Sequence, residues 1–112
     1  MPRMHMTRPI PQAKLFLDCK RIPPGPDWAV ARGFREFKDW VTERGVPDEV
    51  SFGHDLDGAE SGYDCAKWLV CHCWDNGIPL PRWRVHTVNP VGRHNLRQLL
   101  ESAASRMRYD PA

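Results

Sequence analysis

Trp83-Arg84-Val85-His86-Thr87-Val88-Asn89-Pro90-Val91-Gly92-Arg93 carries three signals in eleven residues. Residues 83–87 read as a strand. Asn89 is placed as a helix N-cap with Pro90 at the first helical position, where the missing amide proton costs nothing. Leu96, Leu99, Leu100, Ala103 and Met107 then trace an apolar stripe at helical spacing. The unit is therefore strand, short polar loop, helix.

Working outward, the same unit recurs. Glu49-Val50-Ser51-Phe52 reads as a strand running into the polar, glycine-flanked loop Gly53-His54-Asp55-Leu56-Asp57-Gly58. Ser61 and Asp64 have capping-box spacing for a helix whose face is marked by Tyr63, Ala66, Val70, Cys73 and Trp74 and which ends at Gly77. Trp28–Arg32 predicts another strand, and Phe34, Phe37, Trp40 and Val41 a helix stopped by Gly45. Lys14-Leu15-Phe16-Leu17-Asp18 fits a strand buried on both faces. Between it and Trp28, Pro23, Pro24 and Pro26 exclude helix and central strand alike, leaving a loop. Strands alternating with helices predict an α/β fold, with a four-stranded parallel sheet, three helices covering both of its faces and right-handed crossovers.

With 112 residues, 41% of them hydrophobic, the chain suits one domain, and 27% charged residues with no long apolar run speak against disorder or a membrane span. The domain is expected over residues 13–109, with an extended or mobile arm at 1–12 and a tail at 110–112. Met1-Pro2-Arg3-Met4-His5-Met6 lacks the apolar stretch of a signal peptide, so a cytoplasmic protein is expected. Cys19, Cys65, Cys71 and Cys73 then read as thiols, and Cys71-His72-Cys73 lies in a helical pattern where neighbours two apart cannot close on one zinc ion. Net charge is +2, but the six arginines of residues 82–112 face only two acids.

In a parallel sheet the loops after the strand ends share one edge, where ligands bind. Asp18 and Cys19, His54 and Asp55, and His86, Thr87 and Asn89 should converge there, with Arg93 in the opening turn of the last helix. Two imidazoles, two acids and anion-binding groups beside a helix N-terminus suggest phosphate chemistry.

Leu15-Phe16-Leu17-Asp18-Cys19-Lys20-Arg21-Ile22-Pro23, Ser51-Phe52-Gly53-His54-Asp55-Leu56, Gly62-Tyr63-Asp64 and Val85-His86-Thr87-Val88-Asn89-Pro90-Val91-Gly92-Arg93-His94-Asn95-Leu96 resemble the successive motifs of the cyclic-phosphate processing receiver domains of bacteria and phages. The resemblance spans about residues 13–105. It implies a receiver-like, flavodoxin-like three-layer sandwich whose pocket handles cyclic phosphates, such as 2',3'-cyclic RNA ends or cyclic nucleotides, in a host cytoplasm if phage-encoded. Cys19 and Gly53 stand where the family usually has acids, and four strands leave no place for the lysine of a fifth, so ordinary receiver signalling is not expected.

The expected function is binding and hydrolysis of a cyclic phosphodiester. His54, His86 and Asp55 are the expected catalytic groups. Thr87, Asn89, Gly92 and Arg93 are expected at the phosphate, and Asp18 and Asp55 as carboxylates able to hold one weakly bound Mg²⁺, although the histidine chemistry needs no cofactor. Two other functions fit the same residues: a non-catalytic sensor or sequestering protein for a cyclic nucleotide, and an RNA-binding module using the arginine-rich last third. No membrane partner is expected, and either a monomer or a homodimer is compatible with the aromatic surface around Trp68 and Trp74.

Overall fold

A computed structural model describes residues 10–56 and 58–109 of the chain. Four strands, β1 (Ile10–Leu17), β2 (Trp28–Ala31), β3 (Pro47–Phe52) and β4 (Arg82–Val85), form one parallel sheet in the order β2-β1-β3-β4. Three helices, α1 (Phe34–Arg44), α2 (Gly62–Asn76) and α3 (Pro90–Tyr109), complete the fold. The four-stranded α/β architecture predicted above is the one observed, in the strand order of flavodoxin-like proteins without their fifth strand.

The layering departs from expectation. The connections from β2 to β3 and from β3 to β4 run the same way along the sheet, so right-handed crossovers put α1 and α2 on one face. α3 packs against α2 on that face too. Only the β1–β2 connection runs the other way, and its prolines forbid a helix. Among the described residues, therefore, one face of the sheet carries all three helices and the other none, in place of the predicted three-layer sandwich. The N-terminal boundary also moves: β1 begins at Ile10, inside the segment read as an arm, while residues 1–9 and 110–112 lie outside the described residues.

Strand alternation divides the side chains cleanly. Leu15, Leu17, Ala31, Val50 and Phe52 face the helices and join Phe37, Val41, Cys65, Leu69, Leu96 and Leu100 in the core. On the opposite face Phe16 and Trp28 meet edge to face, with ring centroids 6.1 Å apart. Lys14 and Arg84 lie over the Trp28 ring, and each also pairs with an acid, Asp27 and Glu49 respectively. Long side chains thus cover apolar surface that a helix would cover in a three-layer fold.

Local signals hold at the helix ends. The Ser61–Asp64 capping box forms in both directions and Gly77 closes α2 with φ +65°, the left-handed region that glycine adopts without strain. The buried face of α2 is rotated from the one predicted: Cys65, Ala66, Leu69 and Cys73 are inside, whereas Trp74 is 51% exposed. Burial pushes the Cys65 and Cys73 thiols up to about 12, so both behave as apolar side chains. Leu69→Ala is expected to cost about 2–5 kcal/mol in denaturant unfolding and Trp74→Ala about 1 kcal/mol or less. The reverse order would return Trp74 to the inward face.

Candidate active site

The sheet's hydrogen bonding continues one residue past β1, β3 and β4. The Asp18 amide donates to the Ala31 carbonyl, that of Gly53 to Leu17 and that of His86 to Phe52, at 3.1, 2.8 and 3.0 Å. Asp18, Gly53 and His86 therefore stand side by side at the carboxyl edge, on the same face as Phe16 and Ser51. Asp18 and His86 are separated by two strand spacings, roughly 9–10 Å. Their side chains meet over the middle strand, with His86 Nε2 2.8 Å from Asp18 Oδ2. A Cβ on Gly53 would lie 2.8 Å from the Leu17 carbonyl oxygen and 3.0 Å from both partner atoms of that pair. Glycine here is required by close approach, and it explains why no acid occupies the position.

The pair is held from several sides. Asp18 Oδ1 accepts the amides of Lys20 and Arg21, both at 2.8 Å. His86 Nδ1 lies 2.8 Å from Ser51 Oγ, and its ring stacks on Phe16 at 4.4 Å between centroids. Burial opposes ionisation of Asp18, but the two amides and His86 together outweigh it and hold the carboxyl below its ordinary value of 3.8. An ionised Asp18 only accepts, so the Nε2 proton belongs to His86. The Ser51 hydroxyl can donate to Nδ1 or accept from it, and so serves either protonation state.

His54 follows Gly53 and turns toward the helices. Its ring rests on Gly92, where a Cβ would come within 2.5–2.6 Å of two ring carbons. Its carbonyl accepts the Gly62 amide at 2.7 Å, and Nδ1 lies 3.1 Å from Asp55 Oδ1. Three loops then meet around an open cleft of about 390 Å³ lined by residues 18–21, 54–55 and 87–89. The Cys19 thiol donates to the Asp55 carbonyl, Arg21 Nη1 to that of His86, and Arg32 Nη1 to those of Asp18 and Arg21.

Asp18, His54, Asp55, Thr87 and Asn89 thus line one cleft. Three predicted site residues do not. His86 stands behind Asp18. Gly92 is the seat of the His54 ring, and its amide, like that of Val91, donates to Asn89 Oδ1 at 3.1 Å, so the cap itself uses the helix amides expected to hold a phosphate. Arg93 Nη1 lies 3.3 Å from the carbonyls of Val85 and Thr87 and ties the end of β4 to α3. The cations at the cleft are instead Lys20 and Arg21, which the sequence reading passed over. An aspartate directly after a strand favours a turn through its own side chain, and that turn places the next two residues at the edge.

The carboxylates do not make a cation site of the expected kind. Both Asp18 oxygens already accept hydrogen bonds, Asp55 is 79% exposed at its side chain, and the cations Lys20 and Arg21 line the same cleft. Among the described residues no group of three or more His, Cys, Asp or Glu is arranged to hold a metal. A hard divalent ion needs more free oxygens than this.

The family model for the cyclic-phosphate processing receiver domain matches residues 13–102, a span that includes every residue lining the cleft. The chain belongs to that family. Comparison with curated proteins and with solved structures gives no match. Membership of the cyclic-phosphate processing receiver domains implies a phosphate-bearing ligand. No helix among the described residues is long and apolar enough to cross a membrane.

Two outcomes follow for the pair at the edge. Gly53→Ala should cost about 1–3 kcal/mol through overpacking at Asp18 and His86, read by denaturant unfolding. Because the Asp18 carboxyl is depressed, its stabilisation is present above 3.8 and lost as pH falls through the lower folded value. Wild type should therefore exceed Asp18→Asn by about 1–3 kcal/mol at neutral pH, with the difference shrinking below pH 4. A gap that stayed constant with pH would remove the ionised carboxylate.

Proposed function

We propose that this receiver-like domain binds a cyclic phosphodiester, a nucleoside cyclic phosphate or a 2',3'-cyclic RNA end, and hydrolyses it in the cleft. What carries this is the convergence of an imidazole, an ionised carboxylate and two cationic side chains from different strand ends on one opening. Lys20, Arg21, the Thr87 hydroxyl and the Asn89 side-chain Nδ2 supply donors for the phosphoryl oxygens. With Nδ1 beside Asp55, His54 offers Nε2 to a water proton. The water oxygen bonds to phosphorus, and the bond from phosphorus to one ribose oxygen breaks.

That leaving oxygen takes its proton from solvent in the open cleft, while ionised Asp18 stays hydrogen-bonded to His86 Nε2. In place of the acid/base division between two imidazoles expected from the sequence, His54 acts on the water directly and His86 positions Asp18. No metal enters these steps.

One observation favours binding without turnover: Asp18 occupies His86 Nε2, which leaves a single imidazole open to the cleft. The RNA-binding reading has less support, because Arg82, Arg84 and Arg97 pair with acids and Arg93 with backbone carbonyls.

Incubation with 2',3'-cyclic and 3',5'-cyclic mononucleotides, followed by phosphorus NMR with and without EDTA, separates these outcomes. Hydrolysis should proceed in EDTA and fall about 10²–10⁴-fold in His54→Ala. A ligand-induced rise in Tm without turnover replaces hydrolysis by binding. Neither turnover nor a Tm shift overturns both.

A further inference from the structure

Four large hydrophobic side chains are conspicuously exposed among the described residues: Ile22 at 84%, Val88 at 78%, Val91 at 68% and Trp74 at 51%. Single exposed hydrophobics are ordinary, but two of these four belong to the loops around one cleft and a third, Val91, to the first turn of α3 beside it. Val88 lines it, Ile22 follows the lining residue Arg21, and Val91 is two residues beyond the lining Asn89. Trp74 alone lies elsewhere, on α2.

Ile22 is held out rigidly. Pro23 restricts its backbone to extended conformations, and Pro24 follows. The residue before it is fixed at both ends, since the Arg21 guanidinium donates to the His86 carbonyl and the Arg21 carbonyl accepts from Arg32. An apolar side chain on so constrained a loop forfeits little freedom on contact with a ligand. Val88 sits between Thr87, whose Oγ1 accepts the Asn89 amide, and the Asn89 cap itself. Val88 thus shares the cleft lining with the cations Lys20 and Arg21, and Ile22 directly follows Arg21 on the same loop.

We infer that Ile22 and Val88 form a seat for the nucleobase of the ligand, flanking the phosphate subsite. The inference rests on the cyclic-phosphate reading of the cleft and adds which residues hold the organic part of the substrate. A ligand matching cations beside an aliphatic lip is an anion that carries a flat group with a face free of donors and acceptors, as a nucleoside cyclic phosphate does. Aliphatic contact is non-directional and reads no donor or acceptor pattern, so the seat distinguishes nucleotides from small cyclic phosphates but not one base from another.

Binding of the four 2',3'-cyclic mononucleotides, of glycerol 1,2-cyclic phosphate and of a cyclic phosphate bearing an acyl chain should be measured by calorimetry on the intact protein. The four nucleotides should agree within about 3-fold and exceed the glycerol compound by about 10-fold or more. Val88→Ser and Ile22→Ser, both exposed and neutral to folding, should each weaken the nucleotides about 3- to 10-fold and leave the glycerol compound unchanged. Lys20→Gln should weaken all of them together. Equal affinity for glycerol cyclic phosphate and nucleotides, or equal losses for both in Val88→Ser, overturns the base seat while the phosphate site stands. Tightest binding of the acyl compound assigns the lip to a lipid and overturns it as well. Failure of every cyclic phosphate to bind removes the underlying reading and the seat with it.

Discussion

The contact between Asp18 and His86 over Gly53 is the constraint on which the site depends. Parallel strands place same-register residues on one face, so three consecutive strand ends would normally present three competing side chains. Removing the middle one lets the outer two meet. In the receiver pattern that the sequence resembles, the middle strand supplies an acid; here its volume is occupied by the joined pair. The exchange changes the chemistry of the edge: a carboxylate that could have joined others around a cation is bound to an imidazole and two backbone amides.

The same economy shows in the layers. A helix between β1 and β2 would have covered the second face of the sheet and carried the chain away from the edge. Pro23, Pro24 and Pro26 prevent it, and the connection stays as a loop at the mouth of the cleft, tied by Arg21 and Arg32. The uncovered face is served by side chains that pair twice, Lys14 with Trp28 and Asp27, Arg84 with Trp28 and Glu49. Glu49 is buried, so its pairing with Arg84 satisfies a charge that would otherwise be costly in the sheet. Loss of one helix thus creates both the exposed Ile22 and the cation-rich lip.

The sheet and helix order was legible because it rests on local signals: the Asn89-Pro90 start, the Ser61–Asp64 box, and Gly45 and Gly77 as stops. Convergence of Asp18, His54, Asp55, Thr87 and Asn89 was legible too, since topology alone brings strand ends to one edge. Layer count was not, because it depends on the direction of each crossover, and that requires strand order. The roles of Gly92 and Arg93 were misplaced for a different reason. Their residue types suit a phosphate, but Asn89 consumes the helix amides and the carbonyls of Val85 and Thr87 take the guanidinium. Lys20 and Arg21 were overlooked because the first fifty residues hold nine cations against seven acids and look neutral in sum.

Charge balance at the cleft bears on the proposed reaction itself. Lys20 and Arg21 line the same cleft as Asp18 and Asp55, so the formal charges of the lining balance before ligand enters. A cyclic diester brings one negative charge, which the two cations can hold at close range. Opening the ring converts it to a monoester whose second ionisation, near pH 6, adds most of another charge at neutral pH. That added charge appears beside an Asp18 held ionised by its own hydrogen bonds, and the carboxylate cannot relieve the repulsion by taking up a proton without losing them. The arrangement therefore favours the diester over the monoester in the same cleft. A receiver's acid cluster with a metal would do the opposite, because a divalent cation binds the more highly charged product more tightly. Under the proposed reaction, Gly53 in place of the middle acid and Asp18 engaged with His86 would thus suit the site to release the monoester.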